Sequence, residues 1–356
     1  MQKIMKVALV GLGIGQAHFE RGYAQNRDIF EVVVLCDLNR QRLAECAERF
    51  GIARTTTSFE EVLAMEDIDV IDIVTPPMEH REMILKALER GKHVICEKPL
   101  VGSLADLDIV QAAEKRSSAR LMPIYQYRFG DGVQKVKRII EAGLAGKPYI
   151  ATVETHWRRE ADYYAVDWRG KWATELGGVL MTHAIHQHDM LTFLMGPVAR
   201  LFGRTATRVN AIEVEDCVSA SLVMQNGALV TLSATLGCTE EISRVRLCFE
   251  NVTFESNHEA YNPGQDPWRI LPASPETGEK IAALLADWQP IGNRYIGQFR
   301  AFHVAVQSGA PLPVTTEDAR RSLELVTAFY HSSHSGEDVE LPLDPSHPRY
   351  GNWRLA

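Results

Sequence analysis

The chain has 356 residues, 46% hydrophobic and 24% charged, which is enough for two domains with a sizeable core and ordinary for a globular protein. Its formal net charge of −8 argues against a broad nucleic-acid surface, and no apolar run approaches the roughly 20 residues that span a bilayer. The start, "MQKIMKVALVGLG", enters a strand pattern with no room for a signal peptide, and six irregularly spaced cysteines without a CxxC read as reduced thiols, so a cytoplasmic setting is expected.

Short apolar runs alternate with helical patterns over the first third. "KVALVG" (6–11) and "EVVVLCD" (31–37) predict buried strands, the second followed by the amphipathic "NRQRLAECAERFG". "DVIDIVTPP" (69–77) predicts another, and "EHREMILKALERG" after it carries apolar residues at helical spacing. "KHVICEKP" and "RLMPIYQYR" (120–128) predict two more strands around a helix for which Ser103 is the expected cap. Such alternation implies βαβ units and a parallel sheet over residues 1–125.

The pattern then changes. A helix over 130–142 precedes the strand-like "YIATVETHW", and a second helix spans about 178–194. Alternating runs follow in "ARLFGRTATRV", "CVSASLVMQNGALVTLSATLG" and "SRVRLCFENVTFES", with "QNG" (225–227) as a hairpin turn. "DPWRILPASPETG" (266–278) reads as a surface loop, and two late helices follow in "IGQFRAFHVAVQSG" and "TTEDARRSLELVTAFYHSS". Residues 126–356 are therefore expected to form an α+β domain with an open, mostly antiparallel sheet.

"VGLGIGQAH" (10–18) follows the first strand and opens a helix. The backbone of Gly11, Gly13, Ile14 and Gly15 can approach a pyrophosphate, with free N–H groups and the positive end of the helix dipole behind it. The third position of the usual GxGxxG holds Gln16, so this is a shortened variant. Asp37 ends the second strand, where a carboxylate accepts hydrogen bonds from the adenosine ribose. That carboxylate repels the extra phosphate of NADP and favours NAD; Arg40 and Arg42 close by soften the preference. The plainer alternative is a glycine turn beside a solvated aspartate.

With the glycine loop and its His18, "VTPPMEH" (74–80), "CEKPL" (96–100), "YQYRF" (125–129), "GGVLMTHAIHQHD" (177–189), "EVEDCVSASLVMQNGA" (213–228) and "GEDVELPL" (336–343), the chain resembles the Gfo/Idh/MocA oxidoreductases over nearly its whole length. That family includes glucose–fructose oxidoreductase and inositol dehydrogenase. The resemblance implies a Rossmann domain followed by an open-sheet domain, substrate and nicotinamide meeting between them, and a homodimer or homotetramer built through the large sheet.

It also implies roles. Lys98, at the carboxyl edge of the parallel sheet, would hydrogen-bond the substrate oxygen and favour a developing alkoxide. The plainer alternative is a solvated strand-end lysine. Glu97 would contact the cofactor through its backbone and position Lys98 with its carboxylate. Thr75, Pro76, Pro77 and His80 would form a wall along the cofactor. His186 matches the catalytic histidine and would relay the proton. On a regular helix Thr182, His186 and Asp189 share a face, and Asp189 could hold the imidazole in one tautomer. Many relatives carry Asp where this chain has Thr182, which cannot carry charge or act as a base near neutral pH. His183 joins them as a substrate contact. His183, His186, His188 and Asp189 also invite a metal, but on a regular helix His188 points elsewhere, and no metal is expected. In the aromatic and arginine-rich "HWRREADYYAVDWRGKW" (156–172), Tyr163, Trp168 and Arg169 are the preferred substrate contacts, with Tyr127 and Arg128 as further lining residues or, alternatively, a domain-hinge salt bridge.

The expected function is an NAD(P)-dependent dehydrogenase of a sugar, sugar derivative or cyclitol. One alternative is an enzyme that holds and recycles NAD in a net non-redox reaction on a sugar. Another is a non-catalytic nucleotide sensor.

Overall fold

The computed structural model describes residues 3–353. The chain divides into two compact units, Met1–Ile124 with Tyr295–Ala319, and Tyr125–Arg294 with Arg320–Ala356.

The first unit contains β1 (Met5–Val10), β2 (Phe30–Cys36), β3 (Thr55–Thr56), β4 (Val70–Ile73), β5 (His93–Cys96) and β6 (Leu121–Pro123). They form one parallel sheet in the order β3-β2-β1-β4-β5-β6. All four residues of β4 are buried, as expected of a strand covered on both faces. The helix Arg40–Phe50 starts at Asn39, whose side chain accepts from Arg42 N, and ends at Gly51 in the left-handed region. It buries Leu43 and Cys46 with Leu9, Leu35 and Val74. Ser103 caps Leu104–Arg116 by accepting from Asp106 N at 3.0 Å. β3 has two residues and no pattern that could announce it. β6 ends three residues before a 3₁₀ turn at Gln126–Arg128, so "RLMPIYQYR" is only in part a strand. The helix Tyr295–Ser308, expected in the second domain, belongs to the first unit: Gln298 donates to Pro123 O at 2.8 Å, and Phe299 stacks on Tyr23 at 4.5 Å. An apolar helical stripe does not reveal which sheet it covers.

The second unit contains β7 (Pro148–Arg158), β8 (Val198–Ala206), β9 (Cys217–Met224), β10 (Leu229–Thr235), β11 (Gly237–Phe249), β12 (Val252–Glu255), β13 (Arg269–Pro272) and β14 (Val339–Glu340). Their order is β13-β12-β11-β7-β10-β9-β8-β14, and β7–β10 is the one parallel pairing. The register places Val153, Val245, Leu232 and Ala220 side by side on the buried face. Thr152, Arg246, Thr231 and Ser221 line up on the other. "QNG" turns β9 into β10, with Gly227 at φ 85°. The stretch 266–278 is not a loop throughout: β13 is an edge strand, and Pro275–Leu285 is a helix capped by Ser274 with proline in its first turn. Ser-Pro-Glu is a helix-start signal as much as a turn signal.

The helix Ile185–Met195 is buried on nearly every side. Within it His188 is fully buried against the Phe329 ring at 5.7 Å, and neither ring nitrogen has a hydrogen-bond partner among the described residues. Burial pulls its pKa down to about 3. An unfolded chain therefore takes up a proton below pH 6.5 that the folded chain resists, and the stability lost this way grows until the pH passes below the folded value. At pH 5 the loss is about 2 kcal/mol. His188→Leu removes it: urea unfolding at pH 7 and pH 5 should show a smaller loss of stability between the two in the variant than in the parent, by about that amount.

Candidate functional site

In the first unit, β1, β2, β4 and β5 all end on one sheet edge, and the residues after them carry the candidate cofactor site. The chain leaves β1 through Gly11, whose φ of 93° suits glycine; a Cβ there would lie 2.5 Å from Val74 O. Gly13 and Ile14 are exposed, and a Cβ on Gly13 would meet nothing within 4 Å, so the backbone faces open room. Gly15 is buried over Leu9 and begins the helix Gly15–Arg21. Gln16, in place of the third glycine, braces the loop: its amide donates to Leu12 O at 2.7 Å and its oxygen accepts from Arg49 at 2.5 Å.

Asp37 is buried at the end of β2. Its Oδ2 accepts from Leu12 N at 2.7 Å and Arg42 Nη1 at 3.3 Å, while Oδ1 accepts from Asn39 N at 2.8 Å. The carboxylate thus shapes the glycine loop and still offers acceptor lone pairs. An open glycine floor, a helix start and an acidic strand end together fit a dinucleotide. Arg42 is half-exposed on the same carboxylate, and Arg40 is exposed.

Beyond β4, Thr75 Oγ1 lies 3.4 Å from Met83 Sδ, and Pro77 opens the helix Pro77–Glu89 after Pro76. His80 is fully buried, with Nε2 2.8 Å from Thr75 O and Nδ1 2.9 Å from Pro99 O, joining the loops after β4 and β5. Burial lowers its pKa. Glu97 is buried, its Oε2 accepting Lys98 N at 2.9 Å, and Lys98 is partly buried. Glu97 Oε1 faces the buried ring of His18 at 3.0 Å, and His18 Nδ1 faces Asp72 at 2.8 Å.

The second unit carries the other candidates. Its long helix begins with a π turn, Leu180–Ala184, before the α-helical part. The extra residue in that turn breaks the expected phasing of Thr182 with His186 and Asp189. Glu215 anchors the start: Oε2 accepts from Gly178 N and Oε1 from Leu180 N, each at 3.0 Å, and Tyr330 donates to both oxygens. Burial outweighs these bonds and pushes Glu215 up to about 7. Thr182 Oγ1 donates to Gly178 O at 2.7 Å and lies 2.6 Å from His183 Nδ1. Arg159 Nε donates to His183 Nε2 at 3.1 Å, so Nδ1 is the nitrogen that carries hydrogen toward Thr182 in the neutral ring.

Asp189, expected to orient the His186 imidazole, is paired with an arginine. It receives Arg128 in a bidentate pair at 2.6 and 2.5 Å, with both residues almost fully buried. Tyr127 is also buried, its ring stacked on His186 at 4.5 Å. Arg169 lies over Tyr163 at 3.8 Å and Trp168 at 4.5 Å and pairs with Glu175 at 3.8 Å. Next to this cluster an open cavity of about 490 Å³ is lined by Arg159, Asp162, Tyr163, Glu241 and Tyr261, among others. Arg159 donates to Glu241 at 3.1 Å and Tyr261 at 3.0 Å.

The sequence-derived candidates thus fall into two groups. Gly11, Gly13, Ile14, Gly15, Asp37, Arg42, Thr75, Pro76, Pro77, Glu97 and Lys98 share the sheet edge of the first unit. Tyr163, Trp168, Arg169, Thr182 and His183 gather in the second, where Tyr127 and His186 form a stacked pair. Among the described residues no group of three or more His, Cys, Asp or Glu is placed to hold a metal ion. Sequence reasoning reached Arg159 and Glu215 only as members of the stretches 156–172 and 213–228, and it missed Asp72, Glu241 and Tyr261. Of the three missed, Asp72 carried a local signal, a charge inside an apolar strand.

Residues 5–125 match the model of the oxidoreductase family with an NAD-binding Rossmann fold, and residues 133–255 match that of the GFO/IDH/MocA C-terminal domain. The chain is 27% identical over 353 residues to D-apiose dehydrogenase of Paraburkholderia graminis, covering 95% of this chain and 90% of that protein. It is 25% identical to myo-inositol 2-dehydrogenase of Thermotoga maritima, covering 95% and 98%. The crystal structure of the WlbA dehydrogenase from Bordetella pertussis, in complex with NADH and UDP-GlcNAcA, superposes with a TM-score of 0.84 at 28% identity, covering 96% of this chain and all of that one. The two family models, end to end, and relatives of matching length give one conclusion: the chain belongs to the Gfo/Idh/MocA family of NAD-binding oxidoreductases.

Proposed function

We propose that the protein is an NAD-dependent dehydrogenase that transfers hydride between nicotinamide and a secondary alcohol or ketone of a sugar, sugar derivative or cyclitol. The observation that carries the reading is the placement of Lys98 on the same sheet edge as the glycine loop and Asp37, two strands from the loop in the order β1-β4-β5. Bound NAD supplies the hydride acceptor. The chain supplies position and charge. The Lys98 ammonium donates to the substrate oxygen and stabilises the alkoxide as hydride leaves the carbon. His186 exchanges the hydroxyl proton, its ring held flat against Tyr127. Asp37 binds the adenosine ribose, and its negative charge disfavours a 2′-phosphate. Tyr163, Trp168, Arg169, Thr182 and His183 are assigned to the sugar, whose CH faces suit the rings and whose hydroxyls suit the polar groups between them. The relatives act, by their names, on an aldose and a cyclitol, and the WlbA complex holds a nucleotide sugar, so polyhydroxylated substrates support the assignment.

The reading extends to a cytoplasmic homodimer or homotetramer assembled through the open sheet face. On that face the exposed Ile150 and Leu229 are register partners on β7 and β10, and Phe202 is exposed on β8. No helix among the described residues is long and apolar enough to cross a membrane.

Initial-rate NADH formation with D-apiose, myo-inositol and UDP-GlcNAcA tests the activity. Lys98→Ala should lower kcat about 10²- to 10⁴-fold while NADH binding, followed by fluorescence titration, stays within about twofold. A variant as fast as the parent rejects the role of Lys98. Asp37→Ala should weaken NAD and raise the kcat/KM ratio of NADP to NAD by at least about tenfold, because Arg42 is then released from its carboxylate.

A further inference from the structure

We infer that His18 is a positioning residue for Lys98: its buried ring, set between the carboxylates of Asp72 and Glu97, fixes the peptide from which the lysine side chain departs. The inference rests on the proposed role of Lys98 at the substrate oxygen.

The geometry is closed on every side. His18 belongs to the helix that leaves the glycine loop and is fully buried. Its Nδ1 is 2.8 Å from Asp72 Oδ2, in the interior strand β4, and its Nε2 is 3.0 Å from Glu97 Oε1, just after β5. Tyr23 donates to the same Asp72 oxygen at 2.9 Å, and Tyr295 to the same Glu97 oxygen at 3.3 Å. The Tyr295 and Phe299 rings pack against the imidazole at 4.5 and 5.5 Å.

Ionised carboxylates only accept, and a neutral imidazole has a single N–H. With both carboxylates ionised, both contacts are hydrogen bonds at once only if the ring is the imidazolium. Burial alone would lower its pKa; the charges and hydrogen bonds of Asp72 and Glu97 outweigh it and push it up to about 10. Glu97 has one oxygen on this cation and the other on Lys98 N at 2.9 Å, while its own N–H donates to Ile73 O at 3.0 Å. On the far side of the lysine, His80 Nδ1 lies 2.9 Å from Pro99 O and its Nε2 2.8 Å from Thr75 O, and the neutral ring donates to one of the two carbonyls. The Lys98 backbone is thus fixed before and after the residue. A buried ion cluster is weak evidence of stabilisation, since well-packed apolar groups serve as well. What the cluster adds is a defined direction for Glu97. Without the cation two buried carboxylates face each other; the less enclosed one, Glu97, turns away and releases Lys98 N–H.

The test compares the full-length parent with His18→Gln, Lys98→Ala and the double variant His18→Gln/Glu97→Gln. In the double variant two neutral amides can pair while the oxygen of residue 97 still accepts Lys98 N–H. Three results are expected. Side-chain ¹⁵N shifts of the parent at pH 8 place His18 in the imidazolium range. In His18→Gln, hydrogen exchange at the Lys98 amide speeds up at least about tenfold, with Val94 and Ile95 unchanged, and the double variant restores protection. With whichever of D-apiose, myo-inositol and UDP-GlcNAcA is turned over, kcat falls at least about tenfold in His18→Gln while NADH affinity stays within about twofold, and the double variant recovers most of the rate. A neutral ring at pH 8, or unchanged exchange at Lys98 in a folded His18→Gln, overturns the inference; neither measurement needs a substrate. An inactive Lys98→Ala beside a fully active His18→Gln overturns it alone. An active Lys98→Ala overturns the reading of the lysine and this inference with it.

Discussion

A parallel sheet sends every strand out on the same edge, and that constraint organises the first unit. Residues far apart in the chain become neighbours because each lies within two residues of the end of a buried strand. Gly11 follows β1, Asp37 follows β2, Thr75 follows β4 and Lys98 follows β5. The loops are tied to each other as well as to their strands. Asp37 holds Leu12 N, the glycine turn packs on Val74 O, and His80 spans Thr75 O and Pro99 O. A cofactor on this edge therefore meets a surface whose backbone is already fixed, and little ordering remains to be done on binding.

The second unit solves the same problem with a helix. Gly178 approaches Glu215 so closely that a Cβ would lie 1.8 Å from its carbonyl oxygen, and the Glu215 carboxylate takes two of the N–H groups that a helix start leaves open. The π turn follows directly. It swings His183 toward Arg159 and Thr182, while His186 in the next turn stacks on Tyr127. His188 has no polar partner among the described residues and behaves as a core residue, so three histidines in six positions have three distinct environments.

What could be read beforehand was local. The first two strand runs, the glycine loop, the Ser103 cap and the "QNG" turn are set by neighbours within a few residues, and each stands where the pattern placed it. That the first sheet is parallel followed from alternation; the order of its strands did not. What was missed joins distant residues or needs an exact helical phase. Arg128 meets Asp189 across 61 positions, and His18 meets Asp72 across 54. No periodicity reports such pairs. β3 is too short to have one, and a π turn leaves no mark in hydrophobic spacing. Asp72 is the instructive omission. An aspartate amid "VIDIV" violates the apolar rule for an interior parallel strand, and the violation is explained only by a cation buried beside it.

That logic reaches beyond one aspartate. Buried charge recurs in both units, as His18 between two carboxylates in the first and Arg128 with Asp189 in the second. Each pair has hydrogen-bond geometry that a hydrophobic replacement could not reproduce, although such a replacement often costs little stability. A chain that only had to fold could have filled both places with leucine and methionine. Retaining ions there restricts rotation of the groups they touch: Glu97 is held against the lysine peptide, and the turn after β6 is held against the helix that carries His186. The buried charges thus sit one residue from the proposed catalytic lysine and one turn from the proposed catalytic histidine, where a displacement of about an ångström matters more to rate than to stability.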